Sequence, residues 1–159
     1  MKNSLSKTTL NKYSRQIVLK DVGIIGQKKI FNSKILVVGA GGLGCPVIDL
    51  LVRAGVGFLG VIEDDKVDYS NLHRQTLYDY NDVGKYKTEV IKKKIKLIND
   101  KIKLKIFKER ANDKNLAKII PKFDIIVDGT DNFPTKFLLN KYSLKLRKKL
   151  VIGAISKFD

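Results

Sequence analysis

Lys34-Ile-Leu-Val-Val-Gly-Ala-Gly-Gly-Leu-Gly-Cys-Pro-Val-Ile-Asp-Leu-Leu-Val-Arg-Ala54 is the stretch from which the fold is read. Lys34–Val38 is an uninterrupted, β-branched apolar run of the kind a strand buried on both faces shows, and it predicts the central strand of a sheet. Gly39, Gly41 and Gly44 follow at G-x-G-x-x-G spacing. Cys45–Ala54 then reads as a helix, with Pro46 suited to its first turn and Gly55 to a left-handed cap. Strand, glycine turn and helix form the context in which that spacing means phosphate binding. Residues without a Cβ let a phosphate approach the backbone, and a helix N-terminus offers unpaired N–H groups and the positive end of its dipole.

Outward from this core, Phe58–Ile62 predicts a second strand, with Glu63, Asp64 and Asp65 at its end. Glu63 lies 19 residues beyond Gly44, where a carboxylate can accept hydrogen bonds from ribose hydroxyls. Val83–Ile98 reads as a helix with Val90, Ile91, Ile95 and Ile98 on one face. Ile102, Leu104 and Ile106 alternate with Lys101, Lys103 and Lys105, a strand with one wet side whose lysines discourage edge pairing. Asp113 is read as the cap of a helix through Ile120, followed by Pro121. Asp124–Asp128 is the next buried strand, a helix is expected from about Pro134 to Arg147, and Leu150–Ile152 is the last strand. Residues 8–31 suggest two short helices around a Gly23–Gly26 break. The expected fold is α/β and Rossmann-like, a mainly parallel sheet with helices on both faces, preceded by two short N-terminal helices. Residues 1–33 form the helical lead-in and 34–159 the nucleotide-binding domain.

With 159 residues and 43% hydrophobic content, the chain is sized for one domain with a real core. Its apolar runs are far shorter than the roughly 20 residues that span a bilayer, so no membrane partner is expected. Residues 1–12 are polar and lack an apolar region followed by a cleavage site, which points to a cytoplasmic setting. The single cysteine, Cys45, cannot form an internal disulfide, and the chain holds no Cys-rich set of zinc ligands. The net charge of +16 is uneven, +4 over residues 1–80 and +12 over 81–159. It is carried by 27 Lys against 5 Arg with little aromatic interleaving, which argues for solvated lysine faces rather than a nucleic-acid surface. A surplus of this size attracts acidic protein partners.

The glycine motif alone does not separate NAD from FAD, S-adenosylmethionine or ATP. Three further segments bear on the choice: Asp68-Tyr-Ser-Asn-Leu-His-Arg-Gln75, Asp82-Val-Gly-Lys-Tyr-Lys87 and Asp128-Gly-Thr-Asp-Asn132. A triphosphate needs several cations and usually a metal, whereas a dinucleotide has only a pyrophosphate to neutralise. Asn71, Arg74 and Lys87 can supply donors, and Asp131, in a turn after a buried strand, is placed to hold Mg²⁺.

These motifs, with Tyr13-Ser-Arg-Gln-Ile17, Ala54-Gly-Val-Gly57 and Gly153-Ala154, resemble in order those of the ThiF/MoeB (HesA) family of ATP-dependent adenylyltransferases, relatives of ubiquitin-activating enzymes. The resemblance covers nearly the whole chain. It implies that Gly41 and Gly42, within the cofactor-binding turn that Gly39 and Gly44 complete, lie against the nucleotide phosphates and that Glu63 takes the ribose position, where the family more often has Asp. It further implies that Asn71, Arg74 and Lys87 contact the triphosphate and that Asp131 serves Mg²⁺ and adenylation. Arg15 matches an arginine that reaches the phosphates from the neighbouring subunit of a homodimer. The implied substrates are ATP and a ubiquitin-like sulfur-carrier protein, whose C-terminal glycine carboxylate forms an acyl-adenylate with release of pyrophosphate, in concert with a sulfurtransferase. Cys45 reads as a packing residue rather than a thioester cysteine, and His73 as a variant within the Asn-Leu-x-Arg segment. Family members continue beyond the last strand, so the resemblance implies the N-terminal, nucleotide-binding part of such an enzyme. Two other readings stay open at this point: a non-catalytic nucleotide- or partner-binding fragment of the same family, and an NAD-dependent oxidoreductase domain.

Overall fold

The computed structural model describes residues 5–155. Three helices, α1 (Lys7–Lys12), α2 (Ser14–Ile17) and α3 (Gly23–Asn32), lead into β1 (Lys34–Val38), α4 (Gly44–Ala54) and β2 (Phe58–Ile62). After a long crossover come α5 (Lys87–Ile98), β3 (Lys103–Phe107), α6 (Asp113–Ile119), β4 (Ile125–Asp128), α7 (Phe133–Lys145) and β5 (Lys149–Ile152). The five strands form one sheet in the order β3-β2-β1-β4-β5, and every pairing is parallel.

The expected Rossmann-like layering follows from period-2 alternation along β1. Ile35 and Val37 pack with Cys45, Ile48 and Val52 of α4 and with Val90, Ile91 and Ile95 of α5. Leu36 and Val38 face the other way, onto Leu116 and Ile119 of α6 and Leu139 and Tyr142 of α7. A strand with a core on each side has no room for polar residues, which is why this segment reads as continuous hydrophobe. β3 is an edge strand with Lys103 and Lys105 exposed, and β5 is the other edge, with Val151 and Ile152 exposed.

Several local expectations are corrected. The lead-in holds three helices, and Gly26 lies inside α3 rather than at a break. A helical glycine costs only about 1 kcal/mol, and α3 is fixed by tertiary bonds: buried Gln27 donates to the Ala54 carbonyl at 3.0 Å and accepts from Gln16 at 2.6 Å. The helix expected from Val83 begins at Lys87, because the preceding residues bond to the segment after β2, with Val67 N–H donating to Lys85 O and Lys87 N–H to Asp65 O. The cap of α6 is Asn112, whose Oδ1 accepts from the N–H groups of Lys114 and Asn115, while Asp113 is the first helical residue and pairs with Lys141.

The order of strands reverses direction of growth between β1 and β4, and it is there that a Rossmann-like sheet opens a crevice at its C-terminal edge. α4 starts at this edge. Gln16 and Gln27 instead meet Ala54 at the far end of α4, so the lead-in sits against the opposite edge of the sheet.

The turn between β1 and α4 is closed by backbone. Gly39 has φ +86°, and a Cβ on Gly44 would be driven into the Gly39 carbonyl oxygen. At Gly41 the nearest atom to an added Cβ is Gln75 Nε2, at 3.7 Å, an ordinary contact. Gly44→Ala is therefore expected to destabilise the protein by about 2–3 kcal/mol, as overpacking of a closed turn does, whereas Gly41→Ala should fall within about 0.5 kcal/mol of wild type. Urea unfolding of the two variants side by side checks the contrast; equal losses would contradict it.

Candidate functional site

The C-terminal ends of β1, β2 and β4 are tied together by Gly39 N–H donating to Ile62 O and Gly129 N–H to Val38 O, both at 2.9 Å. Above them opens a cleft of about 820 Å³. Of the residues singled out from the sequence, Gly39, Gly41, Gly42, Glu63, Asn71, Arg74, Lys87 and Asp131 line it. Gly44 lies beneath, as the first residue of α4. Arg15 does not line the cleft of its own chain: it is exposed on α2, against the far edge of the sheet.

Glu63 has a structural task that the sequence reading missed. Its Oε2 accepts from Ala40 N–H at 2.8 Å, and its Oε1 from Asp64 and Asp65 N–H at 2.8 and 2.9 Å. The carboxylate thus staples the glycine turn to the end of β2. A carboxylate has about four acceptor sites, so one acceptor position, on Oε2, remains for a ribose hydroxyl. The Ala40 carbonyl on the other side of the turn receives Tyr78 Oη at 2.9 Å and Cys45 Sγ at 3.2 Å. Burial raises both groups above their ordinary pKa values, so each stays protonated and donating. Cys45 is fully buried and has the packing role expected of it.

Lys87 is the least comfortable residue of the site. It is only 4% exposed and is the first residue of α5, where the helix dipole disfavours a cation. Its one ion pair among the described residues is with Asp65 Oδ2 at 3.2 Å, an aspartate whose side chain is 68% exposed. A buried ammonium turned toward a cleft suits a ligand that brings negative charge. Arg74 lies with its Cγ and Cδ 3.6 Å from where a Gly42 side chain would begin, and its Nη1 donates to Ser70 O. Asn71 accepts Asp68 N–H through Oδ1, which leaves its amide N–H₂ to be offered to the cleft.

Asp131 is exposed on the turn after β4 and makes no ion pair among the described residues. That turn is held from below. Asp128 Oδ1 accepts from Thr130 N–H and Oγ1–H, while Asp128 Oδ2 and the Gly153 carbonyl both accept from Lys136 Nζ, at 3.0 and 2.7 Å. Sequence reasoning missed Lys136 and Asp65, since each acts through a partner brought near only by folding. The one close carboxylate trio among the described residues is Glu63, Asp64 and Asp65 and does not include Asp131. Glu63 is already engaged by three N–H groups, so Asp131, facing the cleft beside the cations, fits a divalent ion shared with phosphates better. His73 is exposed and lines no part of the cleft. No helix among the described residues is long and apolar enough to cross a membrane.

The ThiF family model matches residues 13–159. A sulfur carrier protein adenylyltransferase of Thermus thermophilus is 44% identical over 154 residues, which cover 97% of this chain and 57% of the relative. A probable adenylyltransferase/sulfurtransferase, MoeZ, of Mycobacterium tuberculosis is 38% identical over 157 residues, covering 99% of this chain and 40% of that protein. The chain thus spans about half the length of the curated relatives it matches. Among solved structures, the tRNA N6-threonylcarbamoyladenosine dehydratase TcdA of E. coli in complex with ATP superposes with a TM-score of 0.89 at 25% identity, over 98% of this chain and 65% of that one.

Two outcomes are expected from this geometry. Cys45, buried with its thiol pushed up, should react with a thiol reagent only through unfolding, so that its modification rate tracks urea concentration; rapid modification of the native protein would contradict its place in the core. Lys136→Met leaves the buried Asp128 carboxylate without its cation and should cost about 3 kcal/mol in urea unfolding, with Lys136→Arg recovering most of the loss.

Proposed function

This chain belongs to the ThiF family, and from that membership we propose that it forms the nucleotide-binding part of an ATP-dependent adenylyltransferase acting on the C-terminal carboxylate of a ubiquitin-like sulfur-carrier protein. The observation that carries the reading is the convergence on one cleft of an open glycine turn, the buried Lys87 ammonium, Arg74, Asn71 and the Asp131 carboxylate. An NAD-dependent oxidoreductase gives no joint role to those four side chains.

In this reading the substrate carboxylate attacks the α-phosphorus of ATP, the α–β phosphoanhydride bond breaks, and the acyl-adenylate forms as pyrophosphate leaves with the bond's electrons. Both reactants are anions, so the protein's task is to screen their repulsion and stabilise charge on the departing pyrophosphate. Arg74 and Lys87 supply fixed positive charge, and Asn71 a neutral donor. The backbone of Gly41 and Gly42 and the N-terminus of α4 receive phosphate oxygens. Neither glycine carries a side chain into the cleft, although the protein itself would accommodate one at Gly41. Glu63 accepts a ribose hydroxyl with its remaining Oε2 position. Asp131 would hold Mg²⁺, which when bound neutralises polyphosphate charge. No protein nucleophile is needed, in keeping with Cys45 being buried and protonated.

Arg15 enters as the contribution of a second copy, since α2 lies at the edge of the sheet away from its own cleft; the working unit is therefore a homodimer. A sulfurtransferase is the natural consumer of the activated carrier, as the paired activities in the name of the Mycobacterium tuberculosis relative suggest. The setting is cytoplasmic.

The test is thermal unfolding with Mg-ATP, with NAD and without ligand, followed by ATP–pyrophosphate exchange in the presence of candidate carriers. A ligand at 100 times its Kd stabilises the folded state by about 2.7 kcal/mol. Mg-ATP alone is expected to raise the midpoint, and Asp131→Ala to cut exchange roughly 100-fold or more. A shift with NAD in place of Mg-ATP would assign the cleft to a dinucleotide, and nucleotide binding without exchange for any carrier would reduce the chain to a binding module.

A further inference from the structure

Gln75 is 4% exposed, lines the cleft, and is absent from the set of residues assigned above to the nucleotide. Its side chain presents two unusual features together. Oε1 is buried with no hydrogen-bond partner among the described residues, one of only two such side-chain atoms there. Nε2 is the nearest atom to the point where a Gly41 side chain would begin, 3.7 Å away, on the same wall of the cleft. The backbone of Gln75 is held from both sides, its N–H donating to Asn71 O at 2.9 Å and its carbonyl accepting from Tyr78 N–H at 3.1 Å. The amide is therefore delivered to this position by the same turn that places Asn71 and Arg74.

Packing does not account for it. A methionine or leucine would fill the same volume without stranding an amide oxygen, and buried polar atoms in folded proteins are almost always paired. The end of the amide that a ligand seated on the glycine turn can reach is Nε2, beside Gly41, rather than the buried Oε1. Beside Gly41 the useful atom is the N–H₂ group, which can donate to anionic oxygen and cannot accept from it.

Resting on the nucleotide reading of the cleft, we propose that Gln75 is a further binding residue of this site, its side-chain N–H₂ donating to a polyphosphate oxygen seated against Gly41. It supplies a neutral donor at Gly41, next to Gly42, which Arg74 covers. A neutral donor adds a directed hydrogen bond without adding to the repulsion between neighbouring cations. The cost is borne by the folded protein, in which Oε1 has no partner among the described residues. Binding and stability should then respond to substitution in opposite directions, which a residue of purely structural importance would not do.

The experiment compares wild type, Gln75→Met and Gln75→Glu by thermal unfolding and by titration with Mg-ATP, tripolyphosphate and adenosine. Gln75→Met should unfold at or above the wild-type midpoint without ligand, because it removes the stranded oxygen. It should bind Mg-ATP and tripolyphosphate roughly 10- to 100-fold more weakly, the usual worth of a hydrogen bond to a charged group, and adenosine as wild type does. Gln75→Glu, which places a carboxylate against phosphate, should bind Mg-ATP more weakly still. Wild type that binds Mg-ATP together with a Gln75→Met variant that binds it equally well would overturn the role of Gln75 while leaving the nucleotide site standing. A Gln75→Met variant weakened equally toward adenosine would overturn the phosphate assignment. Wild type that binds neither Mg-ATP nor tripolyphosphate would overturn both readings.

Discussion

The close approach of backbone to backbone where β1 gives way to α4 is the constraint on which the rest of the structure depends. Gly39, Gly44 and Gly129 meet there so tightly that a Cβ on Gly44 would strike the Gly39 carbonyl. This contact lets the helix start directly over the strand end and brings the turns after β1 and β4 side by side. Because the sheet grows in opposite directions from β1, the two turns leave a crevice between them, and every polar group of the cleft is positioned from its walls. The contact is reinforced by side chains that spend their polarity on backbone. Glu63 takes the Ala40 N–H, while Tyr78 and Cys45 take the Ala40 carbonyl.

The electrostatics of the site follow from what these supports leave over. Glu63 has three of its acceptor positions occupied and Asp128 is neutralised by Lys136, so two of the acidic groups nearest the glycine turn are already engaged by the protein. Lys87 is the reverse case, a buried cation answered, among the described residues, only by an exposed aspartate. Asp131 lies exposed on the rim, with no ion pair among the described residues.

Legibility in the sequence tracked the range of the interactions. The continuous hydrophobe of Lys34–Val38, the glycine spacing, Gly55 as a left-handed cap and the lysine alternation of β3 are local patterns with local causes, and the structure has each where it was expected. Gly55 has φ +88° as the C-cap of α4. The errors lie where distant residues intervened. Gly26 reads locally as a break, but Gln27 beside it is bonded to Ala54, and the helix runs on. Val83–Tyr86 carry a helical pattern and are drawn instead into hydrogen bonds with the segment after β2. Asp113 and Asn112 are both capable caps, and the choice fell to Asn112 because Asn115 could reciprocate while Asp113 reached Lys141. Asp65 and Gln75 fall in segments singled out from the sequence without a role of their own, and Lys136 was not singled out, since what each side chain meets is decided across strand ends or on another helix.

By itself, then, the sequence determined the α/β class, the central strand, the glycine turn and the types of side chain available around it, because strand burial, glycine stereochemistry and helix periodicity act over a few residues. Only the tertiary structure decided which of those side chains line the cleft and which serve the backbone: that Glu63 is mostly a staple, that Lys87 is buried at a helix start, that the Gln75 amide lies beside Gly41 with its oxygen unpaired among the described residues, and that Arg15 lies at the opposite edge of the sheet. A polar atom's role depends on which partners lie within hydrogen-bonding distance, and the sheet brings together partners up to 23 residues apart around Glu63 and 38 around Ala40.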